Sequence, residues 1–310
     1  MNTLPEKTPT VHAGLDIAKA TLQLHLQGRP YALPNTAAGH TKLVQLLRPI
    51  PGIHLVCEAT GGYERAVVAA LQAADCPVSV INPARVRHFA QAQGRRAKND
   101  PIDAATLAAF GQALQPKPTP VPEPVLTELR DLVRWRQHLK GQLIATTNRT
   151  EHTPTQFVRR QQAKLGRQLT AQIAAVEAEL AAALQRSPHW LAQIRKLTEL
   201  HGVGTITAIA TLSEMPELGR LGRREAAALA GLAPWTRQSG PWEGQRHIGG
   251  GRAEVRRGLY MSAVAVARLK HTQLGQFYLR LRETGKPAKV ALTAVMRKLL
   301  LQMNHTLKTT

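Results

Sequence analysis

The chain has 310 residues, with 41 lysines and arginines against 20 aspartates and glutamates, a formal net charge of +21. Apolar residues make up 43 %, so the chain can bury a core and is not a disordered basic tail. Two cysteines, Cys57 and Cys76, exclude a disulfide-stapled scaffold and a Cys-rich zinc module. No run approaches about 18 consecutive apolar residues, and the first residues carry no apolar signal core. The expectation is a cytoplasmic, nucleoid-associated protein with no membrane contact and a polyanionic partner, nucleic acid foremost.

Val11 to Ile17 alternates, with Val11, Ala13, Leu15 and Ile17 on one side, and Thr21 to Leu26 alternates in the same way. These two predict a hairpin, and Tyr31 to Asn35 predicts a third short strand. Residues 37–48 read as a helix with Leu43, Leu46 and Leu47 on one face. Ile53 to Cys57 suits a buried strand. Gly61-Gly62 breaks it, Glu64 to Ala74 is helical, Val78 to Ile81 is another buried strand, and Pro83 to Gln93 is helical again. Hairpin strands succeeded by βαβ alternation predict a mixed sheet flanked by helices over residues 1–115. A further helix covers 101–110.

Five prolines between Gln115 and Pro124 predict an extended linker over 116–124. Residues 125–190 carry no strand signal. Leu126, Leu129, Leu132, Val133, Leu139 and Leu143 form one stripe, and Leu165, Leu169, Ile173, Val176, Leu180 and Leu184 another. They predict two long antiparallel helices broken near Pro154, as an interdomain hairpin or a coiled-coil dimerisation arm. Residues 191–310 are helical with glycine-rich interruptions at Gly202-Val203-Gly204 and Gly249-Gly250-Gly251, and 286–304 forms a closing amphipathic helix. The fold class is therefore α/β plus all-α. Basic and acidic residues number 11 and 7 in 1–115, 11 and 6 in 116–190, and 19 and 7 in 191–310. The last third should carry most of the phosphate contact. Aromatics at 4 % argue against a single-strand stacking platform.

Because acids are scarce, their positions matter. Asp16 lies on the first strand opposite Leu15 and Ile17, and Glu58 stands directly after a buried strand. Asp100 and Asp103 share one helical face at i and i+3. Four carboxylates gathered at one place would suit two Mg²⁺ ions and phosphoryl transfer. Local roles also fit: Asp16 as a turn residue, Asp100 as an N-cap before Pro101, and Asp103 as a dipole partner in the first turn. Glu58 is harder to place as a purely structural group, since a carboxylate at a sheet's carboxyl edge is costly unless paired or metal-bound. In the last third, Gly202 and Gly204 allow close approach of backbone amides to phosphate, or simply a helix–helix turn. Arg252, Arg256 and Arg257 can grip a phosphate backbone or form an exposed basic face. Ser239, beside Arg237, reads locally as a turn residue, and no Gly-x-Ser-x-Gly elbow surrounds it. The scattered histidines offer no zinc spacing.

Three segments carry a resemblance: Gly14-Leu15-Asp16-Ile17-Ala18-Lys19, Glu58-Ala59-Thr60-Gly61-Gly62-Tyr63 and Lys98-Asn99-Asp100-Pro101-Ile102-Asp103-Ala104. They resemble, in order, the acidic motifs of the DEDD insertion-sequence transposases, a group that includes Piv-type DNA invertases and bridge-RNA-guided recombinases. Asn99 stands where the family has threonine. Past the linker, Leu200 to Ala208 resembles the family's helix-hairpin-helix-like segment, and Ala233 to Gly240 resembles the segment holding its essential serine. Ile248 to Met261 is similar to the family's segment downstream of that serine, and Gly285 to Leu300 to its closing helix. The resemblance implies a RuvC-like, RNase H-type domain that binds Mg²⁺ through Asp16, Glu58, Asp100 and Asp103. It also implies Ser239 as nucleophile, a phosphoserine DNA intermediate and a structured guide RNA.

Three functions compete at this level. A transposase or site-specific recombinase makes a covalent protein–DNA adduct and rejoined strands. A metal-dependent nuclease or junction resolvase leaves free ends and no serine adduct. A non-catalytic nucleic-acid-binding protein shows no Mg²⁺-dependent reaction. The motif series favours the first, with double-stranded DNA at element ends and target as substrate. Exchange between two duplexes needs several sites at once, which implies a homo-oligomer, dimer or tetramer.

Overall fold

The computed structural model describes residues 11–94, 100–236, 238, 239 and 242–308, and the side chains of these except at 100–102, 239, 242 and 243. The chain divides into two units, Met1–Val121 and Pro122–Thr310.

In the first unit, β1 (Val11–Ile17), β2 (Thr21–Leu26) and β3 (Arg29–Pro34) form an antiparallel meander. Gln27 and Gly28, with φ of 48° and 80°, make a two-residue turn whose left-handed geometry matches the twist of the strands it joins. β4 (Ile53–Glu58) runs parallel to β1, and β5 (Val78–Ile81) parallel to β4, giving the order β3-β2-β1-β4-β5. Alternation then sorts the two faces. Leu15, Ile17, Leu24, Leu55, Cys57 and Val78 pack with α1 (Ala37–Leu47) and α2 (Glu64–Ala73). Val56 and Ile81 pack on the other face with Val86 of α3 (Pro83–Ala92) and with Leu107 and Phe110 of α4 (Asp100–Leu114). This is a mixed sheet flanked by helices, consistent with the RNase H/RuvC type.

In this unit α4 and the Pro-rich stretch differ from the sequence expectation. α4 begins at Asp100 and runs four residues beyond Phe110, because Leu107 and Phe110 are fully buried and hold it down. Asp100 is the first described residue of this helix, and the side chain that would cap it lies outside the described residues. The Pro-rich stretch lies along the edge of β5. The Thr119 amide donates to the Val78 carbonyl at 2.8 Å, the Val80 amide donates to Thr119 Oγ1 at 2.9 Å, and the Ser79 hydroxyl donates to the Lys117 carbonyl at 2.7 Å. Prolines lack the donors to extend a ladder, and they cover an edge strand that would otherwise be open to another chain.

In the second unit, α5 (Pro124–Glu151) and α6 (Gln156–Gln185) pack as a hairpin that turns at Pro154. Leu126, Leu129 and Val133 of α5 and Val176, Leu180 and Leu184 of α6 are buried in one core with the later helices. These are α7 (Pro188–Thr198), α8 (Thr205–Glu214), α9 (Arg223–Leu229), α10 (Ala253–Arg268), α11 (Gln273–Glu283) and α12 (Ala288–Lys308). α12 supplies Val295, Leu299, Leu300 and Met303, all fully buried. Between α9 and α10 stands a small antiparallel hairpin, β6 (Gln238–Ser239) and β7 (Trp242–Glu243), where the sequence suggested only a loop. Two-residue strands carry too little periodicity to be read in advance. Among the described residues, no helix is long and apolar enough to cross a membrane.

Candidate active site

Leu15 pairs with Cys57 across β1 and β4. Asp16 and Glu58, the next residue on each strand, therefore stand side by side at the carboxyl edge, about 4.8 Å apart in strand spacing. Both lie on the face covered by α4, since their same-face neighbours two residues back meet that helix. A Cβ built on Gly14 would overlap the Ala104 carbonyl oxygen, and one built on Gly111 would come within 2.8 Å of Val56 Cγ2. Asp103 precedes Ala104 directly. The fold thus brings Asp16, Glu58 and the first turns of α4 to one corner, with Asp16, Glu58 and Asp103 all half-buried. The Asp100 side chain lies outside the described residues, although its backbone opens the same helix.

The loop after Glu58 is held by a residue the sequence reading did not single out. Glu64 Oε2 accepts from the Thr60 amide at 3.0 Å, the Thr60 hydroxyl at 3.0 Å and the Gly62 amide at 2.8 Å. Gly61 and Gly62, with φ of 74° and 118°, take backbone conformations that a side chain would strain. Burial opposes the Glu64 charge, but the bonds from its own amide, Gly62 and Thr60 outweigh it and hold the carboxyl below its ordinary pKa. Beneath this corner the Cys57 thiol is pushed up to about 12, by burial first and then by the charges of Glu64 and Glu58. It stays a neutral apolar filler.

The donor set at the corner is carboxylate oxygen, which suits Mg²⁺ and other hard cations rather than zinc or copper. Among the described residues no three His, Cys, Asp or Glu side chains already enclose a common point.

In the second unit, Ser239 lies on β6, opposite Trp242 at the closed end of the small hairpin. Its side chain, and all of Arg237, lie outside the described residues. The hairpin is tied at its base by a bridge between Trp235 and His247. Trp235 is 66 % exposed there. The three arginines differ in use. Arg256 Nη1 donates to the carbonyls of Ala230 (2.9 Å) and Gly250, fastening the glycine loop to α9. Arg252 pairs with Glu217 at 2.6 Å, and Arg257, on the exposed side, with Glu254. Gly202 is needed for packing: a Cβ there would overlap Val266 Cγ2 and come within 2.9 Å of the Ser262 carbonyl on α10. Gly204 has open space around it at the start of α8.

Comparison with known proteins matches this layout. A transposase family model of the DEDD, IS110 type covers residues 13–158, and a second, described as transposase IS116/IS110/IS902 family, covers 194–279. The chain belongs to the IS110 family of transposases. The pilin gene-inverting proteins of Moraxella lacunata and Moraxella bovis are each 27 % identical to it over 300 residues, 93 % of both chains. An IS110-type transposase acts on DNA, and the protein is a DNA transposase or recombinase by family. The first family model takes in the carboxylate corner, and the second the α7–α8 turn and the Ser239 hairpin. What sequence reading missed in these segments is the work of Glu64, and of Gly14 and Gly111 as spacers. A glutamate opening a helix two residues after Gly-Gly was the available signal for the first; nothing local marked the others.

Proposed function

We propose that this transposase cleaves and rejoins DNA through a phosphoserine intermediate at Ser239, assisted by divalent metal held at Asp16, Glu58, Asp100 and Asp103. The observation that carries the reading is the pairing of Asp16 and Glu58 at one sheet edge beneath the start of α4, in the order of the family's acidic motifs. Ser239 Oγ would attack the phosphorus, forming a Ser–O–P ester while one P–O bond of the DNA breaks and the departing oxygen takes a proton. A DNA hydroxyl then attacks the same phosphorus and returns the serine hydroxyl. One phosphodiester is exchanged for another throughout, so rejoining needs no external energy source. An alcohol is a weak nucleophile at neutral pH and needs activation. Bound Mg²⁺ would supply Lewis-acid polarisation of the phosphate and stabilise the developing charge.

The same reading includes a guide RNA that pairs with donor and target, which the large positive charge accommodates. It also includes an oligomer, dimer or tetramer, since exchange between two duplexes needs more than one site. Nucleic-acid contact is assigned to Gly202, Gly204, Arg237, Arg252, Arg256 and Arg257. Within that set Gly204 and Arg257 have the open surroundings for direct contact, while Arg256 would act by shaping the loop.

The test is incubation of the protein with its element ends, candidate RNA and Mg²⁺, then mass spectrometry for DNA attached to Ser239. Ser239→Ala and Asp16→Ala should each abolish strand transfer while DNA binding survives. A Ser239→Ala protein that still recombines removes the serine from the mechanism, and free ends without adduct support a metal-dependent nuclease instead.

A further inference from the structure

The α5–α6 hairpin divides into two parts with opposite charge character. Its inner part, 124–139 with 168–186, carries Arg130, Arg134, Arg136 and Arg186 against Glu128, Asp131, Glu177 and Glu179, a net of zero. Those arginines are paired: Arg134 with Glu214 at 2.7 Å, Arg136 with Glu177 at 2.6 Å, and Arg186 with Glu128 at 2.6 Å, while Arg130 donates to the Ser213 carbonyl. The outer part, 140–167, carries Lys140, Arg149, Arg159, Arg160, Lys164 and Arg167 against Glu151 alone. Among the described residues none of these six forms an ion pair. The hairpin's whole positive excess therefore sits at its tip, where no side chain is buried. At about 1.5 Å per residue, the tip extends some 18 Å beyond Leu139, the last buried residue of α5.

On α6, Arg160, Lys164 and Arg167 stand at i, i+4 and i+7, so they form a single exposed ridge about 10 Å long. Phe157 is the one aromatic that flanks the ridge on this helix, too few for a stacking track along a single strand. A second copy laid against this ridge would set like charges together. A duplex presents a phosphate charge about every 1.7 Å of its axis. We propose that the outer end of the α5–α6 hairpin is a contact for the phosphate backbone of duplex DNA, through Arg160, Lys164 and Arg167. These three residues are none of those assigned above to metal binding or to the nucleophile.

The experiment measures binding of the full chain to a labelled duplex of arbitrary sequence across a salt series, with no divalent metal, so that failure of the cleavage chemistry does not affect it. In the triple variant Arg160→Gln, Lys164→Gln, Arg167→Gln the slope of log K against log salt should fall by about 2.7, at about 0.9 per lost phosphate contact. Affinity near 0.1 M salt should weaken on the order of 100-fold. Lys164→Gln alone should lower the slope by about 0.9, and Arg160→Lys with Arg167→Lys should leave it unchanged. Helicity and melting temperature should match the parent, because all three side chains are exposed. An unchanged slope overturns the proposal. So does loss confined to duplex RNA with DNA binding intact, or a changed oligomeric mass with unchanged DNA binding, which would assign the ridge to RNA or to a second copy.

Discussion

A methyl group added at Gly14 would meet the Ala104 carbonyl oxygen and the Ala108 amide of α4. Backbone cannot yield as a side-chain tip can, so the helix must move off the sheet. Gly14→Ala should therefore cost about 1–3 kcal/mol of stability by overpacking. It should also separate Asp16 from Asp103, abolishing strand transfer while leaving nucleic-acid affinity within about twofold, as a melting curve and a binding titration would read. Glu64 makes a second residue-scale case. Its carboxyl is held below the usual value in the fold, so its stabilisation is present above the unfolded pKa, about 4.3, and is lost as pH falls through the folded value. Glu64→Gln should cost about 1–2 kcal/mol at pH 7, from lost charge-assisted hydrogen bonds. The gap to the parent should narrow as pH falls below the unfolded value and close below the folded one, as paired denaturant titrations across that range would show.

At the scale of elements, β5 is a four-residue edge strand whose outer side is covered by residues 116–119. The cover depends on the Thr119 hydroxyl and on Ser79, which His54 contacts at 2.9 Å from the neighbouring strand. His54 has its pKa lowered, by burial first and then by His12, so it stays neutral near pH 7. Since the Ser79 hydroxyl donates to Lys117, the imidazole must donate to Ser79. Ser79→Ala with Thr119→Val should cost about 2–4 kcal/mol in unsatisfied groups and expose 115–123 to protease. Cleavage at that segment no faster than in the parent would show that the prolines alone hold it.

For the whole molecule the governing quantity is charge. The last third holds 19 basic against 7 acidic residues, and the hairpin's excess is confined to its outer end. Association with DNA should therefore be strongly salt-dependent. If six or more phosphates are contacted, affinity should drop about 10³-fold or more between roughly 50 and 200 mM salt. A filter-binding series that stays flat over that range would show that the charge serves solubility instead.

Strand alternation, the two long stripes of leucines and the punctuation by Gly and Pro were enough to read the mixed sheet, the helical hairpin and the helical last third. These are local patterns, and each reports which side of an element meets a core. The order of the acidic motifs was also legible, because sequence order survives without coordinates. Contact between non-neighbours was not. That Asp16 and Glu58 stand side by side is a consequence of the β1–β4 register, and that α4 lies over them is a consequence of the space left at Gly14 and Gly111. The same holds for charge. Arg130, Arg136 and Arg160 look alike along the chain, but the first two meet acceptors brought from other helices, while Arg160 stands on the exposed side of α6, opposite its buried residues. Pairing depends on which acceptors the fold places within reach, and a one-dimensional pattern carries no information about that distance.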